Sequence, residues 1–198
     1  MFCDFMQMVT FLLIQAKRVL YEVSSPLFLL MALAAGCGGN EIDASEMSSL
    51  VSTTDGANGM VFYFDNRSQS LQGTYFYPYI AQRGDDFWLR LKIIYRPDTL
   101  VFIEKYVVTT PDRTFTIEPN LDRLGETVEV DWIDGKSVEK FDGFVADKDL
   151  EMLRAVATSP ATEVRFVGSQ GEGSVTLTET ERKIVASILA AYETMIEQ

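Results

Sequence analysis

Tyr75, Tyr77 and Tyr79 stand at every second position of one apolar stretch, with Phe76, Pro78 and Ile80 between them. Side chains along a strand alternate with a period of two, so this spacing sends the three phenols to one face and the three apolar residues to the other. A row of flat rings with hydroxyls can stack on a sugar or a peptide and hydrogen-bond its edges. The same row also fits the rim of a β core with only the hydroxyls wet. Arg165, between Val164 and Phe166, is a fourth candidate, because a guanidinium fork pairs with both oxygens of a carboxylate. Glu163 or an acid on a neighbouring strand would satisfy it internally.

Catalytic chemistry is more restricted. The chain has no histidine, which excludes Ser-His-Asp and Cys-His catalysis and His-ligated zinc. A serine nucleophile would then need a lysine base, and a glycosidase would need two carboxylates facing each other across a cleft. With 29 Asp and Glu residues the second is conceivable, but no linear motif marks either. Asp122, Glu126, Glu129, Asp131 and Asp134 crowd one stretch, and close-set oxygens can hold Ca²⁺. EF-hand spacing is not met, and Glu129 and Asp131 alternate with Val128, Val130 and Trp132 as on a solvated strand face, so no metal site is assigned. Residues 168–173 are glycine-dense, yet no Lys-Ser or Lys-Thr pair follows; a turn fits better than a phosphate cradle. No cofactor is implied.

A sheet must position these groups. Residues 60–64, 74–80, 86–95, 100–109, 113–117 and 127–133 are rich in β-branched and aromatic side chains and read as consecutive antiparallel strands. Pro78 cannot donate to a ladder, which places its strand at an edge, open to an added strand. Arg96-Pro97-Asp98 reads as a hairpin turn. Pairing Tyr95 with Thr99 across it sets Leu91 opposite Ile103 and Ile93 opposite Val101 on one face, and Arg90 opposite Glu104 and Lys92 opposite Phe102 on the other.

Asp147 is the expected cap of a helix over 148–158 with Leu150, Leu153, Val156 and Ala157 as its apolar stripe, ended by Pro160. Two short strands follow at 163–167 and 174–177. Thr178-Glu179-Thr180-Glu181 forms a capping box before Ile184, Val185, Ile188, Leu189, Tyr192, Met195 and Ile196, which share one helical face expected to pack on the sheet. The fold class is therefore α+β: a single domain over 60–198, largely an antiparallel sheet of about six to eight strands, with two helices, the second a long C-terminal amphipathic one.

The start of the chain has a different character. Lys17-Arg18 precede an uncharged run at 23–36 centred on Pro26 to Leu33, and Ala34-Ala35-Gly36 lead into Cys37. This is a positive segment, an apolar segment and a small-residue cleavage site. The apolar run is shorter than the roughly 20 residues a bilayer-spanning helix requires. Ala34-Ala35-Gly36-Cys37 resembles the lipobox of bacterial lipoprotein precursors.

The resemblance covers the leader alone. It implies removal of residues 1–36, a lipid such as a diacylglyceryl and palmitate set on Cys37, and a cell-envelope address. Gly38 in place of Asp implies the outer membrane facing the periplasm in a Gram-negative cell. The earlier apolar stretch Phe11-Leu12-Leu13-Ile14, with Glu22 between the positive pair and the apolar run, points to a translation start further on, or else to a long leader; neither changes the part after Cys37. Residues 37–59, rich in Gly, Ser, Thr, Asn and Asp, then read as the lipidated cysteine and a flexible tether.

Formal charge is -12. Lys17 and Arg18 balance Asp4 and Glu22, so all of it belongs to the part after Cys37, which disfavours nucleic acid. The expected function is a lipid-anchored envelope protein acting as a non-enzymatic binding module, its partners the membrane through Cys37 and an envelope protein, peptide or glycan. The alternative is a carboxylate-dependent hydrolase acting on envelope polymers.

Overall fold

The computed structural model describes residues 49–197 apart from 121, 124 and 134. Cys37, the leader and most of the tether lie outside the described residues. The described elements run β1 (Leu50–Asp55), β2 (Met60–Asp65), a 3-10 turn (Asn66–Ser70), β3 (Tyr75–Arg83), β4 (Asp86–Tyr95), β5 (Ile103–Thr109), β6 (Thr114–Ile117), β7 (Thr127–Ile133), β8 (Lys136–Phe144), α1 (Asp147–Thr158), β9 (Glu163–Gly168), β10 (Gly171–Thr176) and α2 (Glu179–Ile196). The fold is α+β, with two antiparallel sheets ordered β1-β2-β3-β4-β8-β7 and β10-β9-β5-β6.

Alternation sorts the larger sheet into an inner and an outer face. Phe76, Ile80, Leu89, Leu91, Ile93 and Phe141 point inward and are buried. Ile184, Val185, Ile188 and Leu189 of α2 cover part of this inner face, as the capping box and the helical stripe predict. Ile196 is the exception on that stripe, more than half exposed. The smaller sheet covers the rest: Tyr95 of β4 stacks on Phe166 of β9 at 4.0 Å, and Tyr106 of β5 packs against Phe141 and Phe166. Met152, Leu153 and Val156 of α1 complete one continuous core. Asp147 is the first residue of α1 rather than its cap; Ala146 holds that place, and its N–H donates to the Asp149 carboxylate.

Four further expectations are corrected. Residues 50–55 belong to an edge strand paired along its length with β2, so the folded part begins before position 60; their serines and threonines look like linker because an edge strand is solvated. β8 is the second unforeseen strand, which brings the described total to ten. The expected β4–β5 hairpin does not form: β4 pairs with β3 and β8, while β5 lies in the other sheet between β6 and β9.

The cause is a corner at residues 96–102. Buried Glu139 of β8 accepts Val101 N (2.7 Å) and Ile103 N (2.8 Å), the Ser137 hydroxyl donates to Pro97 O, and Phe102 takes a left-handed φ of 53°. Gly168 closes the corner, since a β-carbon there would collide with the carbonyls of Val101 and Phe102. The expected faces of β4 hold, with Leu91 and Ile93 inside and Arg90 and Lys92 outside, but the partner strands differ.

The fourth correction concerns Pro78. β3 is an interior strand, but its ladder to β2 stops at Tyr63–Ile80, two residues short of the proline. Phe76 N donates to Glu181 Oε1 of α2 (3.2 Å). Residues two apart direct their amide positions to the same side of a strand, so the proline's missing donor faces the β2 side and costs the β3–β4 ladder nothing. The seam between β2 and β3 is therefore open along half its length.

Candidate functional site

The three tyrosines do share the outer face, and they are part of a larger row. Phe62 and Phe64 of β2 join them: Phe64 stacks on Tyr79 (5.2 Å between centroids) and meets Tyr77 edge-on (6.5 Å), Phe62 lies 6.1 Å from Tyr79, and Tyr75 lies 5.7 Å from Tyr77. Tyr79 is buried, whereas Tyr75, Tyr77, Phe62 and Phe64 are partly exposed.

Tyr79 is held by a polar knot. Its hydroxyl donates to both Asp142 oxygens (2.8 and 2.9 Å) and accepts from Arg90 Nε (2.7 Å). Arg90 Nη2 binds Asp142 Oδ1 (2.7 Å) and Gly125 O (2.7 Å), while its guanidinium lies 4.5 Å from the Phe144 ring centroid. Lys92 adds a longer ion pair to Asp142 at 3.8 Å. Burial, and then the Asp142 charge, push the Tyr79 phenol above its ordinary range. A phenol so held is an anchor for the sheet face, and the accessible rings beside it are the part that can receive a ligand.

A depression of about 340 Å³ opens where the β2–β3 seam parts. Phe64 and Tyr77 form its floor, Val51 to Thr53 of β1 one wall, and Ser68 and Gln69 of the 3-10 turn the other. The turn exists because buried Asp65 ends β2: its carboxylate accepts Arg67 N and pairs with the Arg67 guanidinium (2.6 Å), and Ser49 Oγ also donates to it (3.0 Å). Burial pushes the Tyr77 phenol upward as well, helped by the neighbouring Tyr75 and Asp142.

Arg165 is elsewhere, on the outer face of the smaller sheet, where its partner is Glu172 of neighbouring β10 at 3.7 Å. Residues 168–173 are the β9–β10 hairpin. In the acidic stretch, Glu129 and Asp131 flank Lys140 (3.9 and 3.1 Å), and Asp131 Oδ1 also accepts Trp132 N (2.7 Å). Asp134 lies outside the described residues, and among those described no three acids are grouped to hold a metal ion.

Asp122 and Glu126 instead line an open cleft of about 560 Å³ with Arg123, Phe144, Lys148 and Asp149. Glu126 is nearly buried there, its Oε1 accepting Asn120 N and its other oxygen 3.9 Å from Arg123. Burial holds the Asp149 carboxyl above the usual range, against the hydrogen bond from Ala146 and the nearby cations.

Phe62 and Phe64 were legible as further members of the row, since they repeat its period of two in the preceding strand. Asp142, Ser68 and Gln69 carry no local signal, because only the sheet order and the parted seam bring them to the tyrosines. No protein-family model, curated protein or solved structure matches this chain.

Proposed function

We propose that the protein is a lipid-anchored, non-enzymatic binding module of the cell envelope, held through Cys37 and taking its ligand on the ring-bearing face of the larger sheet. The observation that carries the binding reading is that four partly exposed rings lie side by side on that face. A face that only meets water gains nothing from such a grouping, and contiguous apolar surface marks interaction sites. The anchor rests on the lipobox resemblance at residues 34–37, and Gly38 favours the outer membrane in a Gram-negative cell.

Intact mass of protein extracted from membranes is expected to show a chain beginning at Cys37 with added acyl groups. Cys37→Ser is expected to move the protein to the soluble fraction. A Cys37→Ser form that stays on the membrane, or mature chains that retain residues before 37, would overturn the anchor.

One observation favours the hydrolase as a second reading: the 560 Å³ cleft holds a carboxyl raised by burial, Asp149, with Glu126 close enough to add to the shift. Two carboxyls lining one cleft, one of them raised by burial, are what acid–base hydrolysis would draw on. Release of reducing ends from envelope polysaccharide that is lost in Asp149→Asn would support it. An unchanged rate in that variant removes it.

A further inference from the structure

We propose that the depression between β1, the 3-10 turn and the Phe64–Tyr77 floor is a site for a neutral saccharide, a reading that rests on the binding-module function and names its ligand class. Its lining is uncharged throughout, in a chain with 29 acids and 17 lysines and arginines. Two cations that adjoin the lining in sequence or register cannot recruit an anion there at full strength. Arg67 of the turn is paired with Asp65 at 2.6 Å, and Lys92, opposite Tyr77 in the β3–β4 ladder, lies 3.8 Å from Asp142.

Polar groups without internal partners provide the second observation. Among the described residues, the side chains of Ser52, Thr53, Ser68, Gln69 and Tyr77 make no hydrogen bond within the protein, whereas Tyr63, Tyr79, Ser49 and Ser137 all do. Ser52 alternates to the face opposite Val51 and Thr53, so three hydroxyls and one amide are left to satisfy from outside, around two ring surfaces. A pyranose presents that complement: an apolar C–H face that stacks on an aromatic ring and a rim of hydroxyls that both donate and accept. The volume is near the roughly 300 Å³ lower end of small-molecule sites, which fits one or two sugar rings. An extended peptide would instead pair with main-chain groups, which the parted β2–β3 seam also offers; the free side-chain hydroxyls and amide beside the rings favour the saccharide, and the peptide arm of the test separates the two.

The test uses the full mature protein, purified from membranes in neutral detergent. It is titrated by calorimetry with a neutral β-linked N-acetylglucosamine oligomer, a neutral glucan oligomer, an anionic uronic-acid oligomer and an uncharged extended peptide. At least one neutral oligomer is expected to bind with an affinity that added salt leaves unchanged. Tyr77→Ala is expected to weaken it about tenfold, the loss of one stacked ring, and exposed Gln69→Ala about threefold. The Gln69 substitution removes no core contact, so it keeps the test valid even if Tyr77→Ala unfolds. Binding of the peptide alone, with the same dependence on Tyr77, overturns the saccharide and keeps the binding module. Binding of the uronic-acid oligomer alone, screened by salt, overturns the neutral-ligand assignment. Affinity for a neutral oligomer that neither substitution changes places it elsewhere and also overturns the site. No binding by any of the four overturns the saccharide site, and if the tyrosine-face variants also leave recovery of a specific envelope partner unchanged, the binding-module reading falls with it.

Discussion

Glu139 sits on the inner face of β8, 2% exposed, with its two carboxylate oxygens taken by the amides of Val101 and Ile103. Charge-assisted bonds to two amides make burial of the carboxylate tolerable, and they draw the chain out of β4 into the other sheet. Glu139→Ala leaves both amides unpaired in the interior and is expected to cost about 2–4 kcal/mol, while Glu139→Gln keeps one acceptor and costs about half of that. Urea unfolding midpoints check both.

Asp65 makes a prediction of a different kind. Burial raises its pKa, but hydrogen bonds from Arg67, Ser187 and Ser49 outweigh burial and hold it below the usual carboxylate value. A carboxyl with a lowered folded pKa contributes stability above its unfolded pKa and loses it as pH falls through the folded one. Stability should therefore decline on the acid side of the carboxylate range. Asp65→Asn is expected to lose about 2 kcal/mol at neutral pH and to show a shallower acid decline, measured as urea midpoints at successive pH values.

At the scale of elements, α2 is the part most plainly written in local chemistry. Thr178 Oγ1 accepts Glu181 N, and Glu181 Oε2 accepts both Thr178 N and its hydroxyl. Thr178→Ala removes one side of that box and is expected to cost about 1 kcal/mol, checked by thermal unfolding followed at the helix band. The second duty of Glu181, closing the amide of Phe76 across the parted seam, had no trace in the local pattern because it joins residues 105 apart.

The same contrast runs through the sheets. The faces of β3 and β4 were readable from alternation alone, since burial on one side imposes a period of two. β8 was not, because Lys136–Phe144 carries Glu139 and Gly143 at inward positions where an apolar residue is expected. β1 was hidden by its own solvation. The candidate site was half readable: the tyrosine row is local, whereas the depression exists only because Asp65 ends one strand and Pro78 faces the gap.

For the molecule as a whole, residues of both sheets and both helices belong to one buried cluster. No layer can leave without exposing another, so unfolding is expected to be a single cooperative transition. Far-ultraviolet dichroism and the emission of half-buried Trp88 should give coincident urea curves. Separated midpoints would mean that the four-stranded sheet melts on its own.

The bond from Trp132 N to Asp131 at the β7 edge has a consequence for behaviour in a crowd. An outermost strand is where identical molecules can stitch themselves together, backbone to backbone. The aspartate occupies one of the donors such stitching would require, beside a tryptophan ring that is 65% exposed. Neutralising that carboxylate releases the donor and removes a repelling charge at the same time. Growth of fibrils or ribbons in acid should then begin along this rim.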